Sequence, residues 1–164
     1  MSYFVIIRGP LGSGKSTIAQ ELAKKIKAEY FAVDRVLDEY HLTSDREEGY
    51  ISQKSFLHVN EIIAPKAISF LKKGKPVIFD GNFYWKSQIE DLIKRINYPH
   101  FIFTLRAPLK VCLERDAHRE KSHGKDATEA VYEKSTSFTY GTEIDATQPK
   151  EKIIKKIISL LPYD

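Results

Sequence analysis

Gly9-Pro10-Leu11-Gly12-Ser13-Gly14-Lys15-Ser16-Thr17 gathers three glycines, a lysine and three hydroxyls into nine residues. The spacing, a glycine, any four residues and then Gly-Lys-Ser, is that of a phosphate-binding P-loop. Glycines at Gly9, Gly12 and Gly14 can bring backbone N–H groups up to phosphate oxygens with no Cβ in the way. Leu11 and Ser13 complete the cradle. Lys15 supplies a point charge for the β- and γ-phosphates, and the Ser16 hydroxyl is placed to ligate Mg²⁺. Thr17 adds a hydroxyl near the α-phosphate. ATP with Mg²⁺ is the expected cofactor pair, although the loop alone does not separate ATP from GTP.

Other candidates stand where apolar runs end. Asp80 follows Pro76-Val77-Ile78-Phe79 and is expected to organise Mg²⁺ through water. Its alternative is a turn aspartate before Gly81. Asp34 follows Tyr30-Phe31-Ala32-Val33 and could take the proton of an attacking hydroxyl. It could equally cap a helix starting near Val36. Arg115 and Arg119 lie one helical turn apart beside a charged, glycine-containing stretch, as a lid that brings arginines to phosphates would require. The alternative is a surface pair bonded to Glu114 or Glu120. Arg46 and Asn82 are weaker acceptor-side candidates. Tyr84 and Trp85 could line an acceptor pocket or belong to the core. His118 and His123 suggest a metal pair, but no carboxylate or cysteine completes a zinc set.

The elements that must position these residues alternate in type. Tyr3-Phe4-Val5-Ile6-Ile7 is a continuous apolar run, as for a strand buried on both faces of a parallel sheet. After the loop, Ile18, Ala19, Leu22, Ala23 and Ile26 recur at helical spacing. A second strand over 30–33 is expected to end at Asp34, followed by a mostly helical stretch from 35 to 73 that Pro65 could kink and Gly74 stops. A third strand spans 76–80, a helix runs from about 85 to 96, and a fourth strand covers 100–105. Pro108 opens another helix. A mobile lid is expected around 116–127, then a helix over 128–137, a short strand near 143–145, and a last helix opened by Pro149. Together these predict one α/β domain over 1–164: a five-stranded parallel sheet with helices on both faces. Ligands of such sheets sit beyond the C-terminal strand ends, so Gly9, Asp34, Asp80 and Arg106 are expected around one cleft.

Composition narrows the class. The chain has 164 residues, 42% hydrophobic and 29% charged, ordinary values for a globular protein. No apolar run approaches a membrane span, and no leader pattern precedes the first strand. Cys112 is the single cysteine, excludes an internal disulfide, and reads as a buried small hydrophobe. A cytoplasmic protein is expected. The net charge of +4 is spread over helix faces intermixed with acids, so nucleic acid stays open as a partner without being indicated. Monomer and homodimer are equally open.

The chain resembles the small P-loop kinases, nucleoside-monophosphate-kinase-like in fold. It is similar to adenylylsulfate kinases and, more distantly, resembles chloramphenicol phosphotransferase-like and gluconate kinase-like enzymes. The P-loop and Ala107-Pro108-Leu109-Lys110-Val111-Cys112-Leu113-Glu114-Arg115-Asp116 carry the resemblance. Thr43-Ser44-Asp45-Arg46-Glu47 is similar to the acceptor-side segment of adenylylsulfate kinases. Gly141 to Asp145 with Thr147-Gln148-Pro149 resembles their late strand and adenine loop, which implies that Thr147 and Pro149 lie beside the base. The departures fall on the acceptor side. Val33-Asp34-Arg35 stands in place of Asp-Gly-Asp, and Phe79-Asp80-Gly81-Asn82-Phe83-Tyr84 in place of Phe-Ile-Ser-Pro-Tyr-Arg. The resemblance implies transfer of the γ-phosphate of Mg·ATP to a hydroxyl or phosphate of a small molecule. The competing readings are a nucleotide or RNA-end kinase, which would need an open basic groove, and a nucleotide-switched regulatory ATPase.

Overall fold

Strand β1 (Phe4–Arg8) is buried along its whole length, and its side chains alternate between two cores. Val5 and Ile7 face one apolar cluster, while Phe4 and Ile6 face the other. A strand with two buried faces must lie inside a sheet covered on both sides. The computed structural model describes residues 2–162. In it β1 is the centre of a five-stranded sheet of order β2-β5-β1-β6-β7. The partners are β2 (Glu29–Ala32), β5 (Val77–Gly81), β6 (His100–Arg106) and β7 (Thr142–Asp145), and every pairing is parallel.

Helices cover both faces. Ile18, Ala19, Leu22 and Ala23 of α1 (Lys15–Ile26) pack on one face with Ile153, Ile154 and Ile157 of α7 (Lys150–Ser159) and Cys112 of α5 (Leu109–Ala117). The opposite face carries α2 (Val33–Glu39), α3 (Gln53–Lys72) and α4 (Lys86–Ile96), through Leu37, Phe56, Val59, Ile63, Ile89 and Leu92. Helix α6 (Lys125–Ser135) follows α5. Among the described residues no helix is long and apolar enough to cross a membrane.

Three expectations about elements are corrected. The second strand ends at Ala32, and Asp34 sits in the first turn of α2, where a carboxylate meets the positive end of the helix dipole. The stretch 35–73 is not one helical region. Between α2 and α3 the chain forms an antiparallel hairpin, β3 (Arg46–Glu47) and β4 (Tyr50–Ile51). Its two-residue loop has φ of 55° at Glu48 and 83° at Gly49, the positive pair that a type I′ turn demands. Ser52 then caps α3, its hydroxyl accepting from the Ser55 N–H at 3.1 Å, and α3 runs on through Pro65. The segment expected as a lid over 116–127 is shorter: α5 extends through Ala117, α6 starts at Lys125, and residues 118–124 lie between.

One buried charge crosses the core. Arg8 is 0% exposed and, among the described residues, has no carboxylate partner. Its guanidinium donates to Phe83 O (3.2 Å), Thr104 Oγ1 (3.0 Å) and Ser135 O (2.7 Å), and lies 4.5 Å from the Phe138 ring centroid. Ser135 is the last residue of α6, so the cation faces the negative end of that helix. Burial, helped by Arg106, holds the guanidinium pKa down at about 10.

Candidate active site

The P-loop bridges β1 and α1, and its shape is imposed from behind by α5. Gly12 has φ of 78°, and a Cβ there would stand 2.2 Å from the Cys112 carbonyl oxygen. No other residue fits. Gly14 takes the left-handed conformation that starts α1, leaving the next N–H groups free for an anion. Gly12, Gly14, Lys15, Ser16 and Thr17 line a cavity of about 230 Å³ together with Arg115 and Arg119. Ser16 and Thr17 are exposed, while the Lys15 side chain is folded in, its ammonium 3.5 Å from Pro10 O. Both arginines line this cavity, and among the described residues neither pairs with Glu114 or Glu120. Arg115 is fixed: it donates to Ser13 O (3.2 Å) and to Ala146 O (2.8 Å). Arg119 is exposed.

The bond to Ala146 sets the loop of Thr147 and Pro149 next to the P-loop. Thr147 donates to Asp145 Oδ1 through its N–H (2.9 Å) and its hydroxyl (2.6 Å). Arg106 does not join this cleft. Its guanidinium pairs with Glu143 at 3.2 Å beside Tyr132, since β7 presents that carboxylate alongside it.

Asp80, 4% exposed at the end of β5, accepts a hydrogen bond from the Tyr30 hydroxyl at 2.5 Å on Oδ2. Burial first and Asp80 second push the Tyr30 phenol up to about 12. Among the described residues the other oxygen, Oδ1, is buried without a partner, as are Ser13 Oγ and Asn82 Oδ1. Buried acceptors are normally satisfied, so these atoms await a ligand, a water or an ion.

A larger cavity, about 640 Å³, adjoins the P-loop at Leu11. Leu11 stands in its wall, with Asp34 and Leu37 of α2, Arg46 and Tyr50 of the hairpin, Phe56 of α3, Asn82 and Tyr84 after β5, and His123 and Val131 beyond α5. Burial pushes the Asp34 carboxyl up to about 6; Lys15 opposes the shift, while Asp80 and Asp38 add to it. The front wall is braced. Tyr50 donates to Ala130 O (3.0 Å), Trp85 Nε1 to Ile51 O (2.8 Å), and the Ile51 N–H to the Tyr84 hydroxyl (3.1 Å). Lys134 sits 3.4 Å over the Trp85 ring centroid and 3.7 Å from Glu48. Tyr84 is therefore both core and cavity wall.

The residues around 118–124 hang on Asp116, which is 2% exposed. Its carboxylate accepts from Ser122 Oγ (2.8 Å), His123 N–H (3.0 Å), Gly124 N–H (3.2 Å) and His123 Nδ1 (2.9 Å). Burial alone would raise its pKa, but the bonds from His123 and Ser122 outweigh that and hold it well below the usual carboxylate range. Sequence reasoning missed Tyr30, Asp116 and Arg8. A lone tyrosine at a strand start carries no signal, and His123 was weighed only as a metal ligand.

A profile of the AAA domain family matches residues 4–139, from the start of β1 to just past the end of α6. The chain belongs to this family. Among curated proteins, a shikimate kinase of Francisella tularensis subsp. holarctica is 31% identical over 83 residues, 46% of this chain and 47% of that protein. The match thus spans about half the length of that relative. Among solved structures, a sugar kinase from a Janibacter species superposes with a TM-score of 0.76 at 19% identity, covering 97% of this chain and 94% of that one. A gluconokinase from Sinorhizobium meliloti gives a TM-score of 0.71 at 17% identity, covering 94% and 89%. These likenesses are of fold, and the fold is that of the small P-loop kinases.

Proposed function

We propose that this AAA domain protein transfers the γ-phosphate of Mg·ATP to a hydroxyl of a small molecule held in the 640 Å³ cavity. One observation carries the reading. Two cavities flank a single loop, with Gly12 and Lys15 lining the smaller and the adjacent Leu11 lining the larger, where Asp34 is set. Lys15 of the smaller cavity acts electrostatically on Asp34 of the larger, so a donor phosphate and an acceptor held in them would meet, the alignment that phosphoryl transfer requires.

Lys15, Arg115, Arg119 and the loop N–H groups would bind the triphosphate. Ser16, with Asp80 through water, would hold Mg²⁺, and the unpartnered buried Asp80 Oδ1 fits that task. When bound, the ion would neutralise charge on the β- and γ-oxygens. Asp34 would orient the acceptor hydroxyl and take its proton. A carboxyl raised to about 6 remains mostly ionised at neutral pH yet is a stronger base than an exposed aspartate. The acceptor cavity offers no open basic groove, since Asp34, Asp38 and Glu48 face Arg46 there, which disfavours an RNA end.

The test is thermal stabilisation by Mg·ATP, repeated with gluconate, shikimate, adenosine, AMP and adenylylsulfate, then ADP release with whichever adds a shift. ADP formed stoichiometrically with one phosphorylated acceptor supports the reading. Steady hydrolysis indifferent to every acceptor would refute it in favour of a switch.

A further inference from the structure

We propose that His123, oriented by Asp116, reads a second, non-reacting hydroxyl of the acceptor and so sets acceptor specificity. The proposal rests on the transfer reading above. Asp116 is buried and its carboxylate can only accept, so the imidazole nitrogen facing it, Nδ1 at 2.9 Å, must carry a proton. In the neutral ring Nε2 is then a bare acceptor. It has no protein partner among the described residues, and the ring, 42% exposed, lines the acceptor cavity.

The pairing is built rather than incidental. The same carboxylate also takes the N–H groups of His123 and Gly124 and the Ser122 hydroxyl. Backbone and ring are therefore fixed together, and an imidazole held in one tautomer distinguishes a hydroxyl donor from an ether or carbonyl. A second observation points the same way. Asn82, 9% exposed, lines this cavity with Oδ1 buried and unpartnered. With Asp34, Asp38 and Glu48 the wall presents acceptors at five residues against the single guanidinium of Arg46. Such a wall is complementary to a ligand rich in O–H donors: a polyol in which one hydroxyl reacts at Asp34 and another is held by His123.

The experiment pairs protein and ligand deletions. The acceptor selected from gluconate, shikimate and adenosine is compared with its single-deoxy analogues on wild type and His123→Ala. One analogue should raise KM about 3- to 10-fold on wild type, the worth of one hydrogen bond, and cost nothing further on the variant. Its kcat should change far less, and Mg·ATP stabilisation should be unaltered. His123→Gln, whose amide oxygen reaches the same region, should recover part of the loss. His123→Asn, which keeps a short amide toward Asp116, should not. Nitrogen-resolved NMR of the free protein at pH 8 should find Nδ1 of His123 protonated and Nε2 bare. Additive effects for every analogue, or a protonated Nε2, would overturn the proposal. A panel that yields no acceptor defeats the transfer reading and this one together; an acceptor that turns over without such an analogue defeats this one alone.

Discussion

Arginine and lysine are often exchanged without harm, and at Arg8 the structure argues the reverse. Burial first and Arg106 second hold the guanidinium pKa down at about 10, so keeping the charge there costs about 3 kcal/mol relative to water. Lysine would keep that cost. Its single ammonium cannot span Phe83 O, Thr104 Oγ1 and Ser135 O, which the fork reaches at 2.7–3.2 Å. Losing two of three charge-assisted bonds, at about 1.5–3 kcal/mol each, lowers stability by about 3–6 kcal/mol. Methionine removes the charge and relieves its desolvation. Thr104 keeps its own bond to Tyr140 O, so two carbonyls are orphaned, at about 1–3 kcal/mol each. The offset leaves anything from a gain of about 1 to a loss of about 3 kcal/mol. Urea unfolding at pH 7 should rank wild type and Arg8→Met both above Arg8→Lys. A domain of this size has only about 5–15 kcal/mol in total, so failure of Arg8→Lys to fold while Arg8→Met folds gives the same order. Arg8→Lys as stable as wild type, or above Arg8→Met, would refute the reasoning.

Other substitutions separate the roles assigned to the site. Gly12→Ala drives a Cβ against the Cys112 carbonyl at 2.2 Å in a φ region that costs alanine about 1–2 kcal/mol; it should lower the melting temperature and abolish stabilisation by Mg·ATP. Asp34→Asn should cut turnover by about 10²–10⁴ and erase the acid limb of kcat/KM, which in wild type should fall as pH drops through about 6. The same change should stabilise the fold at pH 7. A carboxyl whose folded pKa lies above its unfolded value of 3.8 favours folding below that value and loses the gain as pH rises through about 6, so a neutral amide recovers up to about 3 kcal/mol. Tyr30→Phe removes the 2.5 Å bond to Asp80 and should cost about 1.5–3 kcal/mol in a urea titration, with a weaker Mg²⁺ dependence of ATP stabilisation as the second readout.

Much of this was legible in the residues. The apolar run before Gly9, the alternation of strands with helices, Pro108 and Pro149 at helix starts, and buried Cys112 all followed from periodicity and backbone chemistry. Arg115 and Arg119 were singled out by helical spacing; α5 ends at Ala117, so only Arg115 is on that helix, yet both line the small cavity beside the P-loop. The hairpin was not foreseen: its strands are two residues each, too short to show alternation, and only Gly49 marked the turn. Asp34 was assigned to a strand end because Val33 reads as strand; packing of Val33 and Leu37 under the sheet started the helix early. Arg106 could not be separated from the cleft, since which neighbour a strand-end arginine meets depends on β7, 36 or more residues later in the chain. Tyr30, Arg8 and Asp116 act through partners 50, 75 and 7 residues away respectively, and no local pattern encodes such pairs.

The wedge of Cys112 behind Gly12 also divides two arginines that the sequence treats as equals. Helix α5 is locked to the P-loop there, and Arg115 is locked to Ser13 and Ala146, so both are ready before any nucleotide arrives. Arg119 lies beyond Asp116, on the exposed side of that anchor. The first therefore belongs to the resting architecture, and under the proposed transfer its removal should weaken stabilisation by Mg·ATP even with no acceptor present. The second is exposed, and under the same proposal its removal should lower kcat more than it weakens that stabilisation.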